Sequence, residues 1–298
     1  MEKRQFGRTD MQVSMLGFGG SEIGYENASE VTVEQLLNSA IDAGLNVIDT
    51  AECYEASEEL IGKAAGHRRN DYYLFTKCGH PRGIASEDWS ARSILESIER
   101  SLRRLRTDTL DLVQLHNCSE IVLRTGEATA ALQTARERGY TRYIGYSGDS
   151  VAAKYAIECG AFDSLQTSIN IADQEALELT VPLARDRGMG VIAKRPIANA
   201  AWISGHKPQN SYAHTYWERL RKLNYPFLPG EPDKSIAHAL RFTLSVPGVH
   251  VAIVGTSKPE RWQQNASMLE AGRLSDADFN AVRERWDEIA PATWIGQT

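Results

Sequence analysis

Cysteine is scarce in this 298-residue chain: Cys53, Cys78, Cys118 and Cys159 are the whole set, and no CxxC pair occurs among them. Four thiols at such spacing exclude a disulfide scaffold and fit a reducing compartment. No run of about 18 apolar residues is present, so no segment reads as a membrane-spanning helix. The opening MEKRQFGRTDMQV has basic residues but no apolar stretch behind them, which predicts no secretory leader and a cytoplasmic protein. Positive charge is not in excess either. The formal net charge of −6 speaks against nonspecific binding to nucleic acid or to an anionic membrane, and for small-molecule partners. No GxGxxG opens a strand–helix unit, so a Rossmann domain is not the route to a nucleotide. Internal repeats and low-complexity segments are also lacking.

What the chain does have is eight short apolar stretches: MLGFGG, NVIDT, YYLFTK, LDLVQLH, RYIGYS, LQTSIN, GVIAKR and VAIVGT. They end near Gly17, Asp49, Lys77, His116, Ser147, Asn170, Arg195 and Thr256, mostly on a polar or chemically capable side chain. Eight such strands, separated mostly by helical pattern, describe an α/β fold, a (β/α)8 TIM barrel whose strand ends form one active face. The length exceeds the ~250 residues typical of that barrel by enough for insertions but not for a second large domain. Residues 1–298 are therefore expected to form a single barrel domain.

Before the first barrel strand, RQFGRTDMQVS alternates around Gly7-Arg8-Thr9-Asp10, which predicts an N-terminal β-hairpin cap on the barrel bottom. Thr32 and Gln35 form an expected capping box, Val33, Leu36, Leu37, Ala40 and Ile41 an apolar helix face, and Gly44 the stop. A second amphipathic pattern covers 92–106, with Arg100, Arg103, Arg104 and Arg106 mostly off its apolar face. That cluster reads as a phosphate site or, preferably, as a solvated face with partners Glu96 and Glu99. Further helices are expected at 125–138 and 150–159, and from a Thr180-Val181-Pro182 cap to Gly188. The spacing breaks in a long loop after strand 7, residues 198–231, rich in aromatics, before a helix at 233–245. The loop either shapes the pocket or covers the barrel wall.

Asp49 and Lys77 end neighbouring strands, where a carboxylate and an ammonium pair in a partly dry site. Tyr54 follows on the next loop, and a lysine beside it is expected to lower its phenol from about 10. His116 ends a third strand and can place an imidazole N–H on the oxygen that Tyr54 protonates. Each residue alone has an ordinary role as cap, packing group or structural histidine. The set of four suits a carbonyl that becomes an alkoxide.

The segments NVIDTAECY, LFTK, SILESIERSLRRLRTDTLDLVQLH, YIGYS and VGTSKPERWQQN resemble the aldo-keto reductases, and the resemblance covers essentially the whole chain. It implies hydride transfer between NADP(H) and a carbonyl or alcohol, without a metal. Tyr54 would be the general acid, Lys77 would tune it, Asp49 would hold Lys77 and His116 would orient the carbonyl. Cofactor contacts implied are Gly20, Ser21 and Asp49; Ser147 and Gln166 at the nicotinamide amide; and Lys194, Arg195, Pro196 and Ile197 beneath the ring and diphosphate. Gly255 and Thr256 would meet the adenosine phosphate, followed by Lys258, Arg261, Gln264 and Asn265. Lys258 and Arg261 would favour NADPH, or else they are surface charges at a helix start. The substrate pocket would draw on Ser21, Ile23, Tyr25, Tyr54, Trp89, His116, Trp202 and Trp294, walls suited to a sugar ring or aryl group; Trp89 can equally pack where Ser90 caps a helix.

The chain departs from the family pattern in three places. Ser147-Gly148-Asp149 lacks the usual asparagine, Ile169 stands where tyrosine is common, and Lys194-Arg195 replaces Tyr-Ser, so an arginine plane would stack in place of an aromatic ring. Cys53, Cys78 and Cys118 flank the proposed catalytic residues, either as a thiol switch with a pKa lowered by Lys77 or, preferably, as buried packing residues. Two other functions compete. One is a metal-dependent barrel hydrolase using His80, His116 and the cysteines, which lacks an HxH pair. The other is a cofactor-sensing regulatory subunit, as the barrel subunits of voltage-gated potassium channels resemble this family.

Overall fold

The structure, a computed structural model, describes residues 1–297. Two short strands, β1 (Lys3–Gln5) and β2 (Gln12–Ser14), pair antiparallel, and eight parallel strands close a barrel. The barrel strands are β3 (Leu16–Gly19), β4 (Val47–Asp49), β5 (Tyr73–Cys78), β6 (Leu110–His116), β7 (Thr141–Ser147), β8 (Ser164–Ser168), β9 (Gly190–Lys194) and β10 (Val251–Gly255). They follow chain order around the ring, with β10 closing on β3. Their near-continuous apolar character has a simple cause: each is covered by side chains inside and by helices outside.

The hairpin closes the bottom. Phe6, Met11 and Val13 are fully buried and pack with Val47, Phe75, Leu112, Ile192 and Val251 from five barrel strands. Entry requires two glycines. Gly7 turns at φ +55°, where a Cβ would fall 2.4 Å from the Gly190 nitrogen, and a Cβ on Gly190 would strike the Phe6 ring at 2.4 Å.

His250 sits against this plug, its ring edge-on to Phe6, and its Nδ1 accepts from the Val191 N–H at 2.9 Å. Burial, with Arg4 adding repulsion, lowers its pKa to about 4. A histidine depressed in the folded state contributes stability that is present above its unfolded pKa of about 6.5 and lost as pH falls toward the folded value. Between pH 7 and 5 that loss comes to about 2 kcal/mol. Urea titrations at the two pH values should show His250→Asn losing correspondingly less stability on acidification than the wild-type chain. An equal loss in both would contradict the assignment.

Several local expectations need correction. The helix Glu30–Asp42 is capped by Ser29, whose Oγ accepts from the Thr32 N–H at 3.1 Å, so Thr32 lies inside the first turn; the apolar face is buried as expected. The helix expected at 125–138 is present as Glu127–Glu137, and a further short helix, Glu120–Thr125, precedes it across Gly126 at φ +76°. Thr180 does not cap: its hydroxyl faces back to the Ala176 carbonyl, although Pro182 does lie in the first turn of Val181–Asp186. The aromatic loop contains the helix His214–Leu223. Its Tyr216, Leu220 and Leu223, with Tyr225, join Phe242 and Trp286 in a second apolar cluster, so the loop covers the barrel wall. Among the described residues no helix is long and apolar enough to cross a membrane.

Candidate active site

The ends of β4, β5 and β6 converge. Lys77 Nζ donates to Asp49 Oδ2 at 2.5 Å and to the Thr50 carbonyl at 2.8 Å, and both partners are about 2% exposed. Asp49 also accepts from Gln166 Nε2 at 3.2 Å and Gln114 Nε2 at 3.4 Å, while Gln114 donates to Gln166 Oε1 at 3.0 Å. Burial raises the Asp49 carboxyl, and the ammonium with two amides opposes that rise. The pair is the costly kind that survives only when every lone pair has a donor.

Tyr54 lies over this pair, with Lys77 Nζ 5.2 Å from its ring centre. Its ring meets His116 edge-on, centroids 5.7 Å apart, and Tyr25 stands 5.8 Å away on the other side. The expected lowering of its phenol does not occur. Desolvation and then the Asp49 charge push it well above 10. His116 moves the other way: burial, followed by repulsion from Lys77, His80, Lys194 and Arg195, holds it well below 6.5, so the imidazole is neutral. Its backbone carbonyl accepts from His80 Nε2 at 2.7 Å.

Cys53, Cys78 and Cys118 are buried packing residues, the preferred reading, and the thiol-switch alternative fails. Lys77 does favour a Cys53 thiolate, but burial outweighs it and raises the thiol to about 12; burial likewise raises Cys118 to about 12 and Cys78 well above 9. Cys159, the exposed one, lies at a helix end.

Around the other half of the mouth, Ser147 pairs in register with Gln166, and its buried hydroxyl has no partner among the described residues. Lys194 pairs with Asp149 across 2.8 Å, and burial lowers its ammonium to about 8. Arg195 has a left-handed backbone, φ +55°, in a segment where Ala198, Asn199 and Ala200 are left-handed too. Such conformations are costly for residues with a Cβ and cluster at functional loops. The Arg195 guanidinium donates to Ser168 Oγ at 2.9 Å, to the Tyr212 hydroxyl and to the Gln297 carbonyl, and stacks 4.8 Å over the Tyr212 ring. Among the described residues no carboxylate forms an ion pair with it.

At the end of β10, Thr256 Oγ1 accepts from the Lys258 N–H at 3.0 Å, Lys258 is exposed and Asn265 is buried. Two carboxylates border this segment unannounced by the sequence reading: Glu22 covers Gly255, where a Cβ would fall 1.6 Å from Oε2, and Glu26 accepts from the Ser257 hydroxyl.

The Aldo/keto reductase family is matched over residues 15–287. The chain belongs to this family. It is 30% identical to an uncharacterized oxidoreductase, YqkF, of Bacillus subtilis, over 95% of this chain and 96% of that protein. It is 26% identical to L-galactose dehydrogenase of Arabidopsis thaliana, over 99% and 97%. Among solved structures it is similar to the holo form of aldo-keto reductase AKR11C1 from Bacillus halodurans, with a TM-score of 0.82, 27% identity and 96% of each chain covered. The protein is therefore an oxidoreductase of the aldo-keto reductase fold, a family that uses nicotinamide cofactors on small molecules.

In this aldo-keto reductase the expected substrate residues do not all meet. Tyr25, Tyr54, His116 and Trp89 share the mouth; Trp89 lies on Gly79, ring centroid 5.4 Å from His80, and donates to Glu87 at 2.9 Å. Ile23 is fully buried. Trp202 packs on the second cluster with its N–H on Ser235 Oγ at 3.0 Å, and Trp294 lies against Trp286 and Arg219.

Sequence reasoning missed the supports. Glu52 Oε1 accepts from the Gly79 and His80 N–H groups at 2.9 and 3.0 Å, and its Oε2 from Arg100 at 3.0 Å. Glu58 accepts from Thr76 at 2.7 Å and Arg104 at 3.4 Å. Arg100 and Arg104 thus reach buried carboxylates rather than forming a solvated face; Glu96 pairs with Arg92, and Glu99 accepts from Tyr140. The available signal was the i, i+4 spacing of those arginines with two glutamates flanking Tyr54. Gly24 was also missed: a Cβ there would fall 2.1 Å from the Tyr54 carbonyl oxygen. Gly24→Ala should therefore displace the Tyr54 loop and lower kcat by roughly ten-fold or more, since misplacement near 1 Å costs up to about 10²-fold. Steady-state kinetics on the folded variant checks it, and an unchanged kcat would show that the loop tolerates the shift.

Proposed function

We propose that this aldo-keto reductase is a cytoplasmic NADP(H)-dependent oxidoreductase of small aldehydes, ketones or sugar-like carbonyls, with Tyr54 as general acid and base. The observation that carries the reading is the convergence of a buried Asp49–Lys77 pair, a protonated phenol and a neutral imidazole at three adjacent strand ends. The residues present fit the cofactor: the Ser147 hydroxyl, without a partner among the described residues, suits a carboxamide, and the Arg195 cation, without a carboxylate ion pair among the described residues, suits a diphosphate. Arg195 and Ser168 now hold the Gln297 carbonyl, so an anion there would take over two donors already aimed together. Lys258 and Arg261 would meet a 2'-phosphate, with Gln264 and Asn265 beside them.

When bound, the dihydronicotinamide supplies the hydride. The protein's own part is proton delivery and orientation. Neutral His116 donates a hydrogen bond to the carbonyl oxygen, and Tyr54 gives its O–H proton as that oxygen becomes an alkoxide. Lys77, anchored by Asp49, then stabilises the phenolate left behind. In alcohol oxidation the same proton returns to Tyr54. Among the described residues no three His, Cys, Asp or Glu side chains gather as a metal site.

Nucleotide binding tests the reading first. Quenching of tryptophan fluorescence should show NADPH binding more tightly than NADH, with Arg261→Ala weakening NADPH by roughly ten-fold and NADH little, the size of one charged hydrogen bond. Failure of both nucleotides to bind would overturn the assignment. Equal loss for both would move only the 2'-phosphate contact.

A further inference from the structure

Three consecutive residues, Glu52, Cys53 and Tyr54, each face a different part of the mouth. Cys53 is 3% exposed and His116 is 6% exposed, and Cys53 Sγ lies 3.4 Å from His116 Nδ1. We infer that Cys53 is a positioning residue whose S–H donates to His116 Nδ1 and so fixes the imidazole in the tautomer that carries its proton on Nε2.

A sulfur and an imidazole nitrogen in hydrogen-bond contact can pair as S–H to N, as N–H to the thiol sulfur, or as thiolate to N–H. An imidazole lone pair is a far better acceptor than a thiol sulfur, which favours the first over the second, and burial disfavours the third. Both side chains are buried, and a thiolate–imidazolium pair would add two more ions beside Lys77 and Asp49. The thiol raised to about 12 and the imidazole held well below 6.5 agree with that choice. A neutral imidazole has one N–H and one lone pair, and the partner of one nitrogen decides where the proton sits. With the Nδ1 lone pair facing Cys53, Nε2 is the only donor the ring has.

Nothing else on the ring contests this. His80 addresses the His116 backbone carbonyl through Nε2, leaving its own Nδ1 without a partner, and its ring stands edge-on at 5.4 Å. Tyr54 clamps a second side of the ring edge-on at 5.7 Å. The ring plane is therefore held by packing, while the thiol supplies the one directional contact that tells the two nitrogens apart. The inference rests on the proposed function for its consequence: if His116 orients a carbonyl, the donor must be Nε2–H, and in the other tautomer the same nitrogen presents a lone pair to an oxygen.

The test reads the tautomer directly, without cofactor or turnover. Imidazole ¹⁵N spectra of the wild-type chain should show His116 protonated at Nε2 and bare at Nδ1. Cys53→Ala, which removes the donor, should give a mixture of tautomers, and Cys53→Ser, which keeps a donor on a shorter bond, should return the spectrum toward wild type. Backbone amide spectra establish that each variant folds. With a carbonyl substrate, Cys53→Ala should lower kcat by roughly ten-fold with KM little changed, and Cys53→Ser should recover part of that loss. A wild-type spectrum showing Nδ1–H, or a Cys53→Ala spectrum identical to wild type, overturns the inference whatever the kinetics. A locked tautomer in a protein that turns over no carbonyl leaves the positioning contact standing and removes the reductase reading.

Discussion

Tyr54→Phe is expected to lower the rate of carbonyl reduction by about 10³-fold while leaving NADPH binding and stability close to wild type, the loss being that of a positioned general acid. The substitution keeps the ring that packs edge-on against His116 and beside Tyr25, and removes only the O–H. The phenol is held well above 10 by desolvation and by Asp49, so it carries its proton throughout the neutral range. His116 is neutral there for the same reason of burial. The two shifts together predict a rate of reduction nearly flat from about pH 6.5 to 9, without the alkaline fall that a lysine-lowered phenol would produce. Single-turnover measurements across that range check both statements. A Tyr54→Phe variant with substantial turnover would remove the phenol from the chemistry, and a fall in rate near pH 8 would show that Lys77 governs the phenol in the loaded enzyme.

The barrel was legible because its strands are short, apolar and, up to the loop after strand 7, regularly spaced, and because most end on a side chain that a structural strand does not need. Asp49, Lys77 and His116 could be brought together on paper because parallel neighbours in a barrel converge at one end. What escaped was whatever depends on distance across the chain. Ser29 caps a helix for which Thr32 offered an equally good local pattern. Arg100 and Arg104 found Glu52 and Glu58 in place of the glutamates on their own helix, since the loop around Tyr54 folds back onto that face. The sign of the Tyr54 shift was lost for a related reason. The sequence places a lysine near a phenol, but only the structure shows how fully the phenol is buried beside Asp49, and desolvation decides. Trp202 and Trp294 were expected at the pocket wall, and both pack against the second cluster.

The buried pair itself carries the other large expected effect. Lys77→Met removes the cation and leaves Asp49 with only the amides of Gln114 and Gln166 in a site about 2% exposed, so folding stability should fall by about 3–5 kcal/mol. The sign of its pH dependence follows. Without Lys77 the Asp49 pKa rises further above its unfolded value, so the carboxyl's contribution is intact at low pH and is lost as pH rises through the folded pKa. The variant should therefore be nearest to wild type in acid and weakest near neutrality. Asp49→Asn combined with Lys77→Met removes both charges and should recover most of the lost stability, because a neutral pair of similar volume avoids the desolvation cost. Turnover should stay near zero in both, since neither offers a cation to the phenolate. Urea titration and kinetics on the single and double variants separate the two roles. Recovery of stability without recovery of rate would assign the pair to chemistry at the mouth, and recovery of both would reduce it to a scaffold.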